Sequence, residues 1–429
     1  MFFRLHDKLL QLYGCMLNIL KKAGTMKPFS FVHVADLHLG YEQYNLATRR
    51  EDFDRAFHEV VDKTIELKPS FMIIAGDLFH QARPSNVTLE SAVKNFARLR
   101  DAGIPVLAVD GSHDAAPNMV TGTILIPLDS AGLIYYLPRH EGASWDNGDC
   151  YVYGVPNYRT RFRTEAQLPI YYENKKPEPR QDAFNIFVFH MALDIPEIMK
   201  GLPSYMAEAS PDFVPSGFDY YAGGHLHAPW QFPFKKSLLV YSGSTETVSS
   251  EDAATEKGFY YVEVKQKTEK EVTRIKLETP RHFKILEKDY TGQLPQKISE
   301  LAAEMVKEAD EPGAIIVPLL KGTLPMESSR RQIDLAKIRG AAEKALLVHI
   351  LVAMKEMDIP EETIRSIFEG EMKDLKTKSF EYFRQYFSQR YKESEVERNA
   401  HLALDLIQLL VKGDEEKATS LLEEVLDED

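Results

Sequence analysis

Five short apolar runs in this chain each deliver an aspartate or a histidine at their carboxyl ends. Phe31-Val32-His33-Val34-Ala35 leads into Asp36-Leu37-His38, and Phe71-Met72-Ile73-Ile74-Ala75 leads into Gly76-Asp77. Pro105-Val106-Leu107-Ala108-Val109 precedes Gly111-Ser112-His113-Asp114. Residues 185–189 end on His190, and residues 220–222 run into Gly223-Gly224-His225-Leu226-His227. Runs of this length, rich in β-branched residues, read as strands buried on both faces. Between them lie helical patterns. In 51–67 the apolar residues Phe53, Phe57, Val60, Val61 and Ile65 recur at three- and four-residue steps before Pro69, and 86–102 reads as a second helix. Parallel strands joined by crossover helices account for the alternation. Open α/β sheets place their sites at the carboxyl ends of strands, so the same pattern fixes where the chemistry lies.

The remaining chain reads in blocks. Residues 1–25 are an N-terminal extension, too short and polar to span a membrane and without a convincing cleavage site; Met26 stands just before the first strand. Strands dominate 150–278, interrupted at 156–183 by a polar, Pro-containing stretch that reads as a long functional loop or a partly ordered insertion. A small α/β unit follows over 281–355, and 356–429 is a connector with helices rich in Glu, Lys and Leu. A chain of 429 residues exceeds one core, and this division gives a main domain over 26–280. The two cysteines, Cys15 and Cys150, exclude a Cys-rich metal site or disulfide framework and fit a reducing cytoplasm. The net charge of −13 neither supports nor excludes nucleic acid, so that reading rests on local clusters.

Aspartate and histidine together suit Mn²⁺, Fe²⁺ or Zn²⁺. In an extended segment residues two apart point the same way, so Asp36 with His38, and His225 with His227, can each meet one ion. Asp77 has two oxygens and can bridge. Any one of these histidines alone would ordinarily be a core or surface residue. Five segments with ligand chemistry at their carboxyl ends are a different matter.

The segments FVHVADLHLGYEQYN, SFMIIAGDLFHQARPS, GSHD, FVFHMALD, YYAGGHLH and VYSGSTE resemble the calcineurin-like metallophosphoesterases. Within them the likeness is to the DNA double-strand-break repair branch, the meiotic-recombination-eleven type with SbcD as bacterial relative. It covers 29–280, and 281–355 in outline. The resemblance implies an α/β metallophosphoesterase sandwich of two mixed β-sheets flanked by helices, with a small capping domain and a C-terminal helical segment. It implies two Mn ions per subunit: one on Asp36, His38, Asp77 and His227, the other on Asp77, His190 and His225. Ser112 stands where these relatives usually carry Asn, and its smaller hydroxyl is a weaker donor to the second ion. His113 would act on the scissile phosphate or the leaving oxygen, with Asp114 orienting it and His80 near the phosphate.

The same resemblance implies partners. DNA ends would meet Arg49, Arg50, Arg83, Arg159, Arg161 and Arg163, cations that bind phosphate without sequence preference. Leu89, Val93 and Phe96, with Val120, Ile124, Leu125 and Leu128, would contribute to a homodimer. Leu402, Leu406, Leu409 and Leu410, followed by Leu421, Leu422 and Val425, form helical stripes. The resemblance assigns these to a coiled-coil ABC-type ATPase of the SbcC kind. The expected function is a Mn-dependent DNA nuclease, a 3′-to-5′ exonuclease on duplex ends and an endonuclease on single strands, associated with the nucleoid in the cytoplasm. Two other readings compete: a phosphodiesterase or phosphatase for a small substrate, and a DNA-end tether weakened at Ser112.

Overall fold

The computed structural model describes residues 26–115, 122–200, 206–326, 328–356, 372–388, 391, 393–411 and 417–421. Contacts divide the chain into two compact units, one of residues 1–288, 299–320 and 335–352, the other of 289–298, 321–334 and 353–429. The N-terminal extension, Val120, Leu422 and Val425 lie outside the described residues.

The first unit is built on two six-stranded sheets. In one, β1 (Phe29–Val34), β2 (Phe71–Ala75), β3 (Val106–Val109) and β4 (Tyr135–Tyr136) run parallel, and β11 (Gly258–Gln266) and β12 (Glu269–Lys276) continue antiparallel from β1. In the other, β6 (Cys150–Gly154), β7 (Phe184–His190), β8 (Tyr220–Gly224) and β10 (Ser237–Tyr241) run parallel, edged antiparallel by β5 (Ser144–Asp146) and β9 (Trp230–Phe234). Both sheets are mixed, as expected.

Alternation along each strand makes three apolar layers. Phe31, Phe71, Ile73, Leu107 and Val109 meet Val152, Ile186, Val188, Ala222 and Val240 between the sheets. Val32, Val34, Met72 and Ile74 point the other way, against Phe57, Val60 and Val61 of α1 (Ala47–Leu67) and Phe96 and Leu99 of α2 (Asn86–Asp101). Tyr153, Phe187, Phe189, Tyr221 and Tyr241 form the outer layer of the second sheet with Leu168 and Ile198. Helix α2 starts where the Ser85 side chain accepts from the Thr88 N–H at 3.2 Å, a cap worth ~1 kcal/mol.

The expected loop at 156–183 contains instead a 14-residue helix, α4 (Arg161–Asn174), after the short α3 (Leu125–Ser130). Thr160 caps it, its hydroxyl accepting from the Arg163 N–H. Tyr171 and Tyr172 reach back to the Gly154 and Phe213 carbonyls at 3.0 Å. These ties hold a sequence of weak apolar periodicity and an internal Pro169 in helical form.

Strands β13 (Phe283–Asp289), β14 (Ile315–Thr323), β15 (Leu347–Val348) and β16 (Leu351–Lys355) make a third sheet. Near the C-terminus two further helices span Met372–Ser388 and Glu393–Val411. On the latter Val396, Ala400 and Leu404 form the buried stripe, whereas Leu402, Leu406 and Leu409 are half-buried. No helix among the described residues is long and apolar enough to cross a membrane.

Candidate metal centre

Every ligand candidate in the first unit follows or ends a parallel strand: Asp36 and His38 after β1, Asp77 after β2, His113 after β3, His190 at the end of β7, His225 and His227 after β8. The chain turns sharply there. Asp36 (φ 54°), His38 (φ 45°), Asp77 (φ 50°) and His225 (φ 92°) all occupy positive φ, which costs a non-glycine residue roughly 1–3 kcal/mol. Hydrogen bonds between the turns hold them so. The Asp36 N–H donates to Gly76 O at 3.1 Å, the His38 N–H to Asp77 O at 3.0 Å, and the His225 N–H to both Asp36 carboxylate oxygens at 3.1 Å. Two glycines permit the approach. A Cβ on Gly224 would lie 1.9 Å from Ala75 O, and one on Gly111 would lie 2.1 Å from Asp77 Oδ1.

The turns bring the side chains together. His38 Nε2 lies 3.3 Å from His227 Nε2 and 3.8 Å from Asp77 Oδ2. His190 Nε2 lies 3.2 Å from Asp77 Oδ2 and 3.9 Å from Asp36 Oδ1. Asp36 with His38 and His227, Asp36 with Asp77 and His190, and His38 with His80 and His113 are each close enough to share an ion.

Hydrogen bonds outside the cluster fix the imidazole tautomers. His190 Nδ1 donates to Ala75 O at 2.8 Å, so its Nε2 faces inward, buried and without a hydrogen-bond partner. His113 Nδ1 donates to His80 O at 2.8 Å, and its backbone N–H donates to Asp77 Oδ1 at 2.8 Å. His227 Nδ1 faces Asp252 Oδ2 at 3.5 Å.

Burial and mutual proximity govern the electrostatics of the cluster. Burial works to lower His190, but Asp77 and then Asp36 overcome it and raise the imidazole to about 10. Burial works to raise Asp77, and His190 overrides it, holding the carboxyl well below its ordinary range. Asp36 is pushed up to about 7 by burial. Burial lowers His225 to about 3, His80 to about 4 and His38 well below 6.5. Neutral imidazoles at His38, His80 and His225, and the Asp36 and Asp77 carboxylates facing His190 Nε2, offer one buried space the nitrogen and oxygen donors that suit divalent ions of borderline character once His190 gives up its proton.

Some expected roles need correction. Arg49 is fully buried and cannot meet DNA: its guanidinium donates to Asp52, Glu246, Gln43 and Thr247 O. Asp114 is also fully buried, and its oxygens accept from the Leu78, Phe79 and Gly111 N–H groups. It positions the loops after β2 and β3, the second of which carries His113. Phe96, Leu125 and Leu128 belong to the core and offer nothing to a second copy. Arg159 donates to Ala115 O, Arg161 to Glu165 and Asp194, and Arg50 to Glu42. Among the described residues Arg83 and Arg163 are exposed with no side-chain partner. Ser112 sits half-buried on the turn between Gly111 and His113.

Two carboxylates beside the cluster escaped the sequence reading. Asp252 faces His227 and is paired with Lys257 at 3.0 Å. Glu208 Oε2 lies 3.7 Å from His225 Nε2, and burial raises its carboxyl to about 7. Neither follows a strand, so no local signal marked them.

Comparison with known proteins agrees with this geometry. The calcineurin-like phosphoesterase family matches residues 29–229. A DNA double-strand break repair protein Mre11 from Archaeoglobus fulgidus is 32% identical over 240 residues, 52% of each chain. The Mre11 of Methanococcus maripaludis is 29% identical over 243 residues, 54% of this chain and 62% of that one. The Mre11 of Aeropyrum pernix is 26% identical over 332 residues, 74% of this chain and 79% of that one. The chain thus spans about half the length of the first of these relatives. Residues 29–229 thus match the calcineurin-like phosphoesterase family, and the sequence likeness of the chain is to Mre11 proteins.

Proposed function

We propose that this chain is a metal-dependent phosphodiesterase that cleaves DNA at broken ends. The observation that carries the reading is the convergence of Asp36, His38, Asp77, His190 and His227 at the carboxyl ends of parallel strands from both sheets. Asp36, His38, Asp77 and His227 would hold one ion, and Asp77, His190 and His225 the other, with Ser112 as a weak additional donor. When bound, two such ions supply an activated water and neutralise charge on a phosphate; we propose Mn²⁺ in both positions.

The chain's own residues do the rest. The bond from His113 Nδ1 to His80 O leaves Nε2 as the nitrogen available to substrate. Doubly protonated, the ring would carry its second proton on Nε2 and give that proton to the leaving oxygen. Asp114 sets this loop against the loop of Asp77 through backbone N–H groups. Arg83 and Arg163, with Arg50, Arg159 and Arg161 in part, would track the phosphates of a polymer. We extend the reading to a 3′-to-5′ exonuclease on duplex ends and an endonuclease on single strands. The expected organisation is a nuclease domain over 26–280, a capping domain over 281–355 and a helical region over 356–429. It would act as a homodimer with an SbcC-like ATPase, docked through the half-buried Leu402, Leu406 and Leu409.

Hydrolysis of linear DNA and of bis-p-nitrophenyl phosphate, each in Mn²⁺, tests the substrate class. Faster turnover of DNA at equal phosphodiester concentration is expected. Turnover of the small ester alone would favour a phosphodiesterase for small substrates.

A further inference from the structure

Glu208 is a buried carboxylate beside the metal centre that the ligand set above leaves unused. Its backbone is pinned next to the end of β7, its N–H donating to Ala192 O at 2.8 Å. Its side chain is 10% exposed, and Oε2 accepts only the Ala192 N–H at a long 3.3 Å. Among the described residues no lysine or arginine pairs with it. A buried carboxylate without a cationic partner is costly, and natural structures retain one where it meets a cation of another kind.

The neighbouring group says which kind. Oε2 lies 3.7 Å from His225 Nε2. That is too long for a hydrogen bond. It is the spacing of two donors that share one ion, since ligands at ~2.1 Å on a common centre stand roughly 3–4 Å apart. We propose that Glu208 is a carboxylate ligand, beside His225, to the ion assigned to Asp77 and His190. The inference rests on the reading of this cluster as a two-ion centre. It also gives that side a second anionic oxygen, where Ser112 offers only a neutral hydroxyl.

Calorimetric titration of the metal-free full chain with Mn²⁺ alone tests the assignment, with thermal melting of the metal-free protein as a second readout. Glu208→Gln should weaken one of the two ions at least about tenfold and leave the other unchanged. Its metal-free melting temperature should hold or rise, because an unpaired buried charge is gone. Glu208→His, which restores a ligating atom, should recover the second ion. A glutamine keeps a hydrogen-bond acceptor, so a carboxylate that merely oriented His225 would leave both ions in Glu208→Gln. Two ions bound with wild-type affinity in that variant would overturn the proposal, as would a lowered metal-free melting temperature with both ions retained. If Glu208→Gln does not fold, Glu208→Asp decides: weakened binding of one ion supports the assignment and undiminished binding overturns it. Failure of the wild-type chain to bind Mn²⁺ would instead defeat the two-ion reading itself.

Discussion

The Nε2 atoms of His38 and His227 face each other at 3.3 Å across 189 residues of chain. His38 Nδ1 meets His80 Nδ1 at 3.3 Å, and His227 Nδ1 meets the Asp252 carboxylate at 3.5 Å. A neutral imidazole has one N–H. With the hydrogens on the two Nδ1 atoms, the two Nε2 atoms present opposed lone pairs. Only a cation, or a proton, between them makes that arrangement favourable.

Asp77 lies between the two halves of the cluster, 3.8 Å from His38 Nε2 and 3.2 Å from His190 Nε2. Asp77→Ala should therefore remove both ions, and His227→Ala mainly one. Metal content by mass spectrometry after dialysis reads the difference. Equal partial loss in the two variants would defeat the bridging role.

His113→Ser should lower DNA cleavage by ~10²–10⁴-fold, the usual worth of general acid assistance. Metal occupancy should persist, because the backbone N–H that bonds Asp77 Oδ1 remains in the variant. A loss of bound metal would make His113 a ligand.

Arg49→Ala should cost roughly 3–5 kcal/mol of stability, since it leaves Asp52 and Glu246 buried without this partner. It should act on DNA only through folding. Arg163→Ala should do the reverse, leaving the melting temperature unchanged and lowering the salt slope of duplex binding by about 0.9 per phosphate contact. Denaturant melts and salt-titrated binding separate the two.

Mn²⁺ binding should release a proton. The folded pKa of His190 is raised from 6.5 to about 10, so its proton stabilises the metal-free fold fully below pH 6.5. That contribution is lost as pH rises through about 10. An ion must displace this proton, so Mn²⁺ affinity should rise with pH over that window. Calorimetry at pH 8 in buffers of different ionisation enthalpy measures the release, and a buffer-independent enthalpy would contradict it.

The ligand loops were legible because each follows a strand, where residue type, glycine and sheet position coincide. Asp36, Asp77 and His190 needed no tertiary information. Glu208 and Asp252 did, because only packing carries them to His225 and His227. The burial of Arg49 is hidden from the sequence for a related reason. An Arg-Arg pair at a helix start resembles a solvent-facing cluster, but Asp52, one turn on, and Glu246, 197 residues away, enclose the first arginine. Helix α4 is not legible in the sequence because its ties are tyrosine hydroxyls to distant carbonyls, which leave no periodic trace.

Release of nucleotides from linear duplex DNA by the wild-type chain and by Asp77→Ala, each in Mn²⁺ and in chelator, tests the central claim most directly. The account predicts hydrolysis by the wild-type chain in Mn²⁺ alone, and none by the variant in either condition. Equal hydrolysis by Asp77→Ala, or a wild-type chain that binds two ions and leaves DNA intact, would contradict it.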